Sequence, residues 1–266
     1  MKVSIVIIEY HSLNELQKCV DSVSRAFDLE KEIIISSNSC YSEQRQKELE
    51  HCFLSNSICT VKWCFNERNG GFAYAMNEGL AIATGDFLAI CNPDCLLLDN
   101  MDPMCDFLDK HPEIGAIGPK MVDEEGIIQD TARNYVSLQS FIWRQLMRLV
   151  TKRESLTYKS MDYDKVQTVD WLVGAFIMVS RKAYEMTGGL DEGYFMYAED
   201  LDWCTRIRKC GFEVVYFPKV KLQYKGTRSA RRNMGSAKVF LKSHLRYWKK
   251  FGFFCGYPER NTLMSI

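Results

Sequence analysis

The sequence predicts an α/β fold: a doubly wound, mostly parallel sheet with a small antiparallel portion in its second half. Two observations carry that expectation. Residues 3–8, 32–36, 58–65 and 86–91 are apolar runs separated by helical patterns, and strands alternating with helices become parallel neighbours through right-handed crossovers. Beyond residue 100 the rhythm changes, with short strand signals in place of regular alternation.

Each element has its own signal. Residues 3–8 are a continuous apolar run with β-branched side chains, suited to a strand buried on both faces. Ser12 and Asn14 then precede a helix through Leu16, Cys19, Val20 and Val23. Residues 32–36 read as a second buried strand, 42–54 as a polar helix and 58–65 as a third strand. Asn69-Gly70-Gly71 opens a helix over 73–83, and 86–91 is the fourth strand. A helix over 101–109, short strands at 114–119 and 127–131, and an amphipathic stretch at 138–150 come next. A buried strand from Val169, a short helix, a Gly188-Gly189 turn and a helix opening on Glu199-Asp200 follow. Short strands at 213–217 and 220–224 and a basic, aromatic helix over 234–251 close the pattern. No linker rich in Pro, Gly or Ser and no internal repeat interrupts it, so a single domain over residues 1–266 is expected.

Composition sets the bounds. With 266 residues, 47% hydrophobic and 26% charged, the chain has material for one sizeable core. A formal net charge of zero provides no global field toward nucleic acid. The 11 cysteines are scattered without a C-x-x-C pair, which argues against zinc or a disulfide framework and fits a reducing compartment. Glu9 and His11 cut short the first apolar run, so no secretory leader is expected. No stretch reaches the length of a membrane span, and a cytoplasmic protein is expected.

In a doubly wound sheet, ligands lie beyond the carboxyl ends of the strands. That edge holds Glu9-Tyr10, Ser36-Ser37-Asn38, residues 66–71 and Asn92-Pro93-Asp94. In the second half, Trp203, Cys204, Ile207 and Cys210 form one apolar stripe, and Asp200 lies a turn before it on the inward face. Glu199, Asp202 and Arg206 take the flank, with Asp202 and Arg206 paired at i+4. An inward carboxylate at a helix mouth is where a general base can sit. Acidic first turns also arise simply because they complement the helix dipole.

The run G-A-x-x-x-V-x-R, then G-G-x-D-E-x-[YF]-F-x-Y-x-E-D-x-D-x-x-x-R-x-x-x-x-G, over residues 174–211, resembles the acceptor half of the inverting family 2 glycosyltransferases. It is most similar to their rhamnosyltransferase-like branch, built on the GT-A fold, and the likeness continues to the N-terminus. The resemblance implies a donor half at 1–100, an acceptor half at 101–232, and a C-terminal helix and tail at 233–266. It makes Asp200 the catalytic base, with Glu199, Asp191 and Trp171 on the acceptor side. Asn66-x-x-Asn69-x-Gly71-Phe72-Ala73 and Asn77 resemble the family's helix beside the nucleotide, where glycines let backbone N–H groups approach phosphate. Glu9, Tyr10, Ser37, Asn38, Asn69, Gly71, Asn77, Asn92, Asp94 and Arg228 are the implied donor-binding set. Asn92-Pro93-Asp94 stands where the fold keeps its D-x-D motif, so Asp94 would hold Mg²⁺ or Mn²⁺.

Two departures matter. Relatives carry an Asp, which accepts the N3–H of uracil or thymine, where this chain has Ser37. They also carry a His where this chain has Tyr224, followed by Lys225, Arg228, Arg231 and Arg232, which could hold the diphosphate directly. The implied activity is inverting transfer of a sugar from a nucleotide diphosphate to a glycan or lipid-linked glycan, in cell-surface polysaccharide synthesis. A nucleotidyltransferase is the alternative enzyme, although Ile8-Glu9-Tyr10-His11 lacks its Gly-rich basic signature. An inactive nucleotide-sugar binding protein is the alternative without catalysis.

Two helical stretches carry lines of like charge. Arg144, Arg148 and Lys152 run beside Leu138, Ile142, Leu146 and Leu149. In the last helix Lys238, Lys242, Arg246, Lys249 and Lys250 oppose Phe240, His244, Tyr247, Trp248 and Phe251. Such lines suggest an anionic partner, here the inner face of a membrane with the aromatic residues dipping into it.

Overall fold

The computed structural model describes residues 1–53, 59–129, 131–133, 135, 161–224 and 234–253. The first half contains β1 (Lys2–Glu9), α1 (Leu13–Arg25), β2 (Glu30–Ser37), α2 (Glu43–Cys52), β3 (Cys59–Phe65), α3 (Phe72–Ala81), β4 (Phe87–Cys91) and β5 (Leu96–Leu97). Then come α4 (Asp102–Lys110), β6 (Ile114–Val122), β7 (Ala132–Arg133), β8 (Gln167–Thr168), β9 (Trp171–Leu172) and β10 (Phe176–Ser180). The remaining elements are α5 (Arg181–Thr187), α6 (Glu199–Lys209), β11 (Glu213–Gln223) and α7 (Met234–Phe251).

Among the described residues the main sheet has the order β3-β2-β1-β4-β10-β6-β11-β5, with β8 beside β11. β3, β2, β1 and β4 are parallel. β10 is antiparallel to both neighbours, and β11 is parallel to β6 but antiparallel to β5 and β8. β7 and β9 form a separate antiparallel pair. Order reverses between β1 and β4, so a crevice opens at their carboxyl ends.

The apolar runs are continuous because both sheet faces are covered. Ile5, Ile7, Ile33 and Ile35 pack with Leu16, Cys19 and Val23 of α1. Val6, Ile34, Leu88 and Ile90 pack on the other face with Met76 and Leu80 of α3, in one cluster with Trp203, Cys204 and Ile207 of α6.

Several expectations change. Of the strand expected over 127–131, the described residues 127–129 and 131 form none: the Asp123 carboxylate collects the N–H groups of Glu125 and Ile127 and curls the chain, leaving an isolated bridge at Ile128. The run from Val169 divides into β9 and β10. The two strands expected over 213–224 are one, β11, with an irregularity between Phe217 and Lys221, where Pro218 has no N–H to give. Cys210 is exposed rather than part of the stripe, because α6 ends at Lys209. Asp202 leaves the flank and is fully buried. The aromatic face of α7 is not available to a membrane: Tyr247 and Trp248 are buried in the core, and the Tyr247 hydroxyl is 3.0 Å from Thr205 Oγ1. Residues 138–150, Lys152, Lys225, Arg228, Arg231 and Arg232 lie outside the described residues.

Candidate active site

At the crevice, β1 ends in Glu9, whose buried carboxylate gathers the loops around it. It accepts from the Ser37 and Tyr41 hydroxyls and from the Ser12 N–H. Ser37, expected to accept a proton from the base, therefore donates its own to Glu9, its partner across the strand pair. His11 and Cys40, just beyond β1 and β2, hold positive φ values of 52° and 50°, a strained conformation for residues with a side chain. Tyr10 remains 51% exposed, free to lie against a planar ligand.

The Asn-Gly segment before α3 has a different task from the one expected. Asn69 Oδ1 accepts the Gly71 N–H at 3.0 Å, and Phe195 O accepts the Phe72 N–H at 2.9 Å. Those N–H groups are occupied by the protein itself and not offered to phosphate. Gly71 is required because it sits at φ 93° and a Cβ would meet the Phe195 carbonyl. Asn38 donates to Asn69 Oδ1 and Gly71 O, tying β2 to this turn. Asn77, placed with the donor set, instead spans to the acceptor side. Its amide donates to Leu190 O and Glu192 Oε1 and accepts from Leu190 N.

Asn92-Pro93-Asp94 follows β4 at the crevice. The Asn92 N–H donates to Ala175 O at 2.8 Å, and Cys19 of α1 reaches Asn92 O. Burial raises the Asp94 carboxyl, and the charge of Glu15 adds to the effect. Tyr224 lies beside it, sharing a side-chain hydrogen bond with Asn92; burial and the Asp94 charge keep its phenol protonated. Among the described residues no three His, Cys, Asp or Glu side chains form a metal cage. The donor set is one carboxylate and one amide. That set suits a divalent cation that also binds diphosphate oxygens, the usual habit of Mg²⁺.

Across the crevice stands Asp200. Tyr197 and Ala198 enter α6 with φ of 69° and 67°, and this left-handed turn aims the first helical residues inward. Asp200 Oδ2 accepts the Gly174 N–H and Oδ1 the Leu201 N–H, both at 2.8 Å. Burial pushes the Asp200 carboxyl up, while those two N–H groups and the charge of Arg133 draw it down. Glu199 is buried, and its Oε2 has no hydrogen-bond partner. Burial and then the Asp200 charge push its carboxyl well above the ordinary range. Of the two, Asp200 has two backbone N–H donors for its charge, whereas Glu199 is raised further, with an Oε2 that has no partner. A base with a raised pKa is suited to accepting a hydroxyl proton near neutral pH.

Trp171 is buried, with the Arg133 guanidinium 5.3 Å from its ring centre. Tyr194 is fully buried and donates to Asp202. Asp191 turns away from the crevice toward α7. It is bound by Arg246 at 2.9 Å and Lys250 at 2.8 Å, and Lys250 continues to Asp202, which holds Arg206. Arg206 in turn donates to Thr187 O and Gly189 O. Asp191 therefore braces the Gly188-Gly189 turn instead of meeting an acceptor.

Burial alone would raise the Asp191 carboxyl, but hydrogen bonds from Lys250, Arg246 and the Gly193 N–H outweigh it and hold it at about 2. A depressed folded pKa contributes stability that is complete above the unfolded value and lost as pH falls toward 2. Asp191→Asn should therefore cost about 1 kcal/mol near neutral pH, after allowing for solvent screening. Denaturant melts at descending pH should show that cost shrinking below about pH 4. A cost that does not change with pH would mean the packing of the turn, not its charge, is what matters.

Sequence reasoning missed Arg133. It opens the poorly patterned residues 133–165, and its neighbours Trp171, Asp200 and Tyr224 are all remote in sequence. No local signal identifies it.

A family model described as "Glycosyl transferase family 2" matches residues 4–186. The N-acetylglucosaminyl-diphospho-decaprenol L-rhamnosyltransferase of Mycobacterium tuberculosis is 31% identical over 140 residues, 52% of this chain and 46% of that protein. Rhamnosyltransferase WbbL of Escherichia coli is 30% identical over 127 residues, 47% of each chain. These matched stretches span about half the length of either relative. Among solved structures, GalNAc-T7 with UDP, GalNAc and Mn²⁺ superposes with a TM-score of 0.65 at 19% identity, covering 94% of this chain and 48% of that one. The mannosyltransferase PcManGT of Pyrobaculum calidifontis, in complex with GDP-Man and Mn²⁺, gives 0.59 at 16% identity, covering 93% and 64%. At such identities the likeness concerns the fold, which is GT-A as expected.

Proposed function

Given that this chain belongs to glycosyl transferase family 2, we propose that it moves a sugar from a nucleotide diphosphate donor to a carbohydrate hydroxyl, inverting the anomeric carbon. One observation carries the reading. Gly174-Ala175 ties the Asp200 carboxylate through the Gly174 N–H and the Asn92 turn through the Ala175 carbonyl. A base and a leaving-group site joined by so little backbone can hold acceptor and donor in line.

The donor lies along the ends of β1 and β4, its base against Tyr10 and its diphosphate toward Asn92 and Asp94. Asp200 takes the acceptor's proton as that oxygen attacks the anomeric carbon. The bond from that carbon to the diphosphate oxygen breaks, and nucleoside diphosphate leaves. A Mg²⁺ or Mn²⁺ ion held by Asp94, Asn92 and phosphate oxygens would neutralise charge on the leaving group. The relatives' names lead us to a rhamnosyl donor and a lipid-linked glycan acceptor, used in cell-surface polysaccharide synthesis. Mass-spectrometric detection of nucleoside diphosphate released from a panel of nucleotide sugars, rhamnosyl donors first, tests the reading. Donor binding without release, with lipid-linked or soluble glycan present, would favour the inactive binding protein.

Among the described residues no helix is long and apolar enough to cross a membrane. The exposed face of α7 carries Lys238, Lys242 and Lys249 beside Leu241 and Leu245, and we assign it to the cytoplasmic face of an anionic membrane. Replacing the three lysines by glutamate should abolish sedimentation with anionic vesicles at low salt, at about 1 kcal/mol per lysine. Sedimentation that is equal with neutral vesicles would remove the membrane from the proposal. Arg246 and Lys250 are unsuitable for this test because they hold Asp191.

A further inference from the structure

We propose that Arg133 is a positioning residue of the transfer reaction, its guanidinium seated on Trp171 so that its positive charge holds Asp200 as the carboxylate that accepts a proton. The inference rests on the glycosyltransferase reading of this site.

The geometry begins with the short β7–β9 pair. Arg133 stands directly opposite Trp171, and the Arg133 guanidinium lies over the indole, 5.3 Å from its centre. The same pair continues toward the base, since the Val173 N–H donates to Thr131 O. The next residue, Gly174, donates to Asp200 Oδ2, and a Cβ there would sit 3.1 Å from the Asp200 Cβ. The piece of backbone that seats the guanidinium thus also fixes the carboxylate. A planar cation stacked on indole loses little freedom and stays charged at any working pH.

The groups facing Asp200 leave a clear role for that charge. From its own helix come the Glu199 carboxyl and the buried Cys204 thiol, pushed up to about 12 chiefly by burial, so it is neutral. Among the described residues, Arg133 of β7 supplies a positive charge that favours the Asp200 carboxylate, after the Gly174 and Leu201 N–H groups. Of the nearby charges, Asp170 Oδ2 accepts the Tyr135 N–H, and Arg208 donates to Val169 O and Glu213. Arg133 also acts on Tyr224 beside Asp94, so it stands between the acceptor and donor edges.

Charge removal is tested with Arg133→Gln and with Arg133→Met, which keeps an aliphatic stem on Trp171. Arg133→Lys restores the charge. Aspartate labelled with ¹³C at Cγ, with Asp200→Asn to assign the signal, reports the titration of Asp200 in the free protein. The Asp200 signal should titrate at higher pH in the Gln and Met variants and return toward wild type with Lys. In turnover, the deficit of the Gln variant should be about tenfold on the acid limb of kcat and close at alkaline pH. An Asp200 titration identical in all four proteins overturns the proposal. So does a rate loss that is uniform with pH or appears only as a raised KM for donor, which would make Arg133 a diphosphate contact. If the wild type releases no nucleoside diphosphate, the enzyme reading fails, while the titration still decides the Arg133 question.

Discussion

Asp200→Asn lowers turnover by about 10²-fold or more while donor binding stays near the wild-type level. The size of the loss follows from the site. Asp200 is the carboxylate at the acceptor edge that has both burial and two backbone N–H donors. An amide cannot accept the hydroxyl proton, and it matches only one of those donors, since its Nδ2 would face the other N–H. Thermal melts of the variant separate that mismatch from the chemistry. Asp200→Ala removes the amide altogether and should lose turnover to a similar extent. Of the other acids near the turn, Asp191 is committed to Arg246 and Lys250. Glu199 is pushed up by burial and by Asp200 itself. Wild-type turnover in both variants would therefore transfer the role to Glu199. In the wild type, kcat should fall on acidification at a higher pH than an ordinary carboxylate would dictate, because burial raises Asp200.

Asp94→Ala lowers kcat/KM by about 10²-fold, the worth of a few kcal/mol of charge stabilisation at the leaving diphosphate. A chelator added to the wild type should mimic it, and the variant should be insensitive to chelator. Calorimetry with Mn²⁺ and a nucleoside diphosphate should show that the ion strengthens nucleotide binding in the wild type alone. Since burial raises the Asp94 carboxyl, that enhancement should fade on acidification before a free carboxylate would protonate. Wild-type activity untouched by chelator would shift leaving-group stabilisation to the basic residues after Tyr224, with Arg231→Ala the decisive variant.

The element order was legible because each signal is local. A β-branched run buried on both faces reads the same wherever it occurs, and β1, β2, β3 and β4 lie within a residue or two of their expected places. α7 has the bounds that its charge and aromatic pattern suggest. The positions of Asp94 and Asp200 were legible for a related reason, as strand ends and helix mouths are marked by short polar motifs. Less was legible where polar side chains fold the chain back. Asp123 converts an expected strand into a turn by capturing two N–H groups, and periodicity carries no trace of such a choice.

What the sequence by itself determined is the alternation that builds the sheet and the carboxylates that reach its edge. What only the tertiary structure decided is which polar groups remain for a ligand. Asn77 is used by Leu190, Ser37 by Glu9, Asp191 by α7, and the N–H groups of Gly71 and Phe72 by Asn69 and Phe195. Arg133, unmarked in the chain, is brought to Trp171. The physical reason is the reach of each force. Apolar periodicity acts over neighbouring turns and strands, whereas a hydrogen bond or ion pair is satisfied by whichever group folding brings within about 3 Å, however distant it is along the chain.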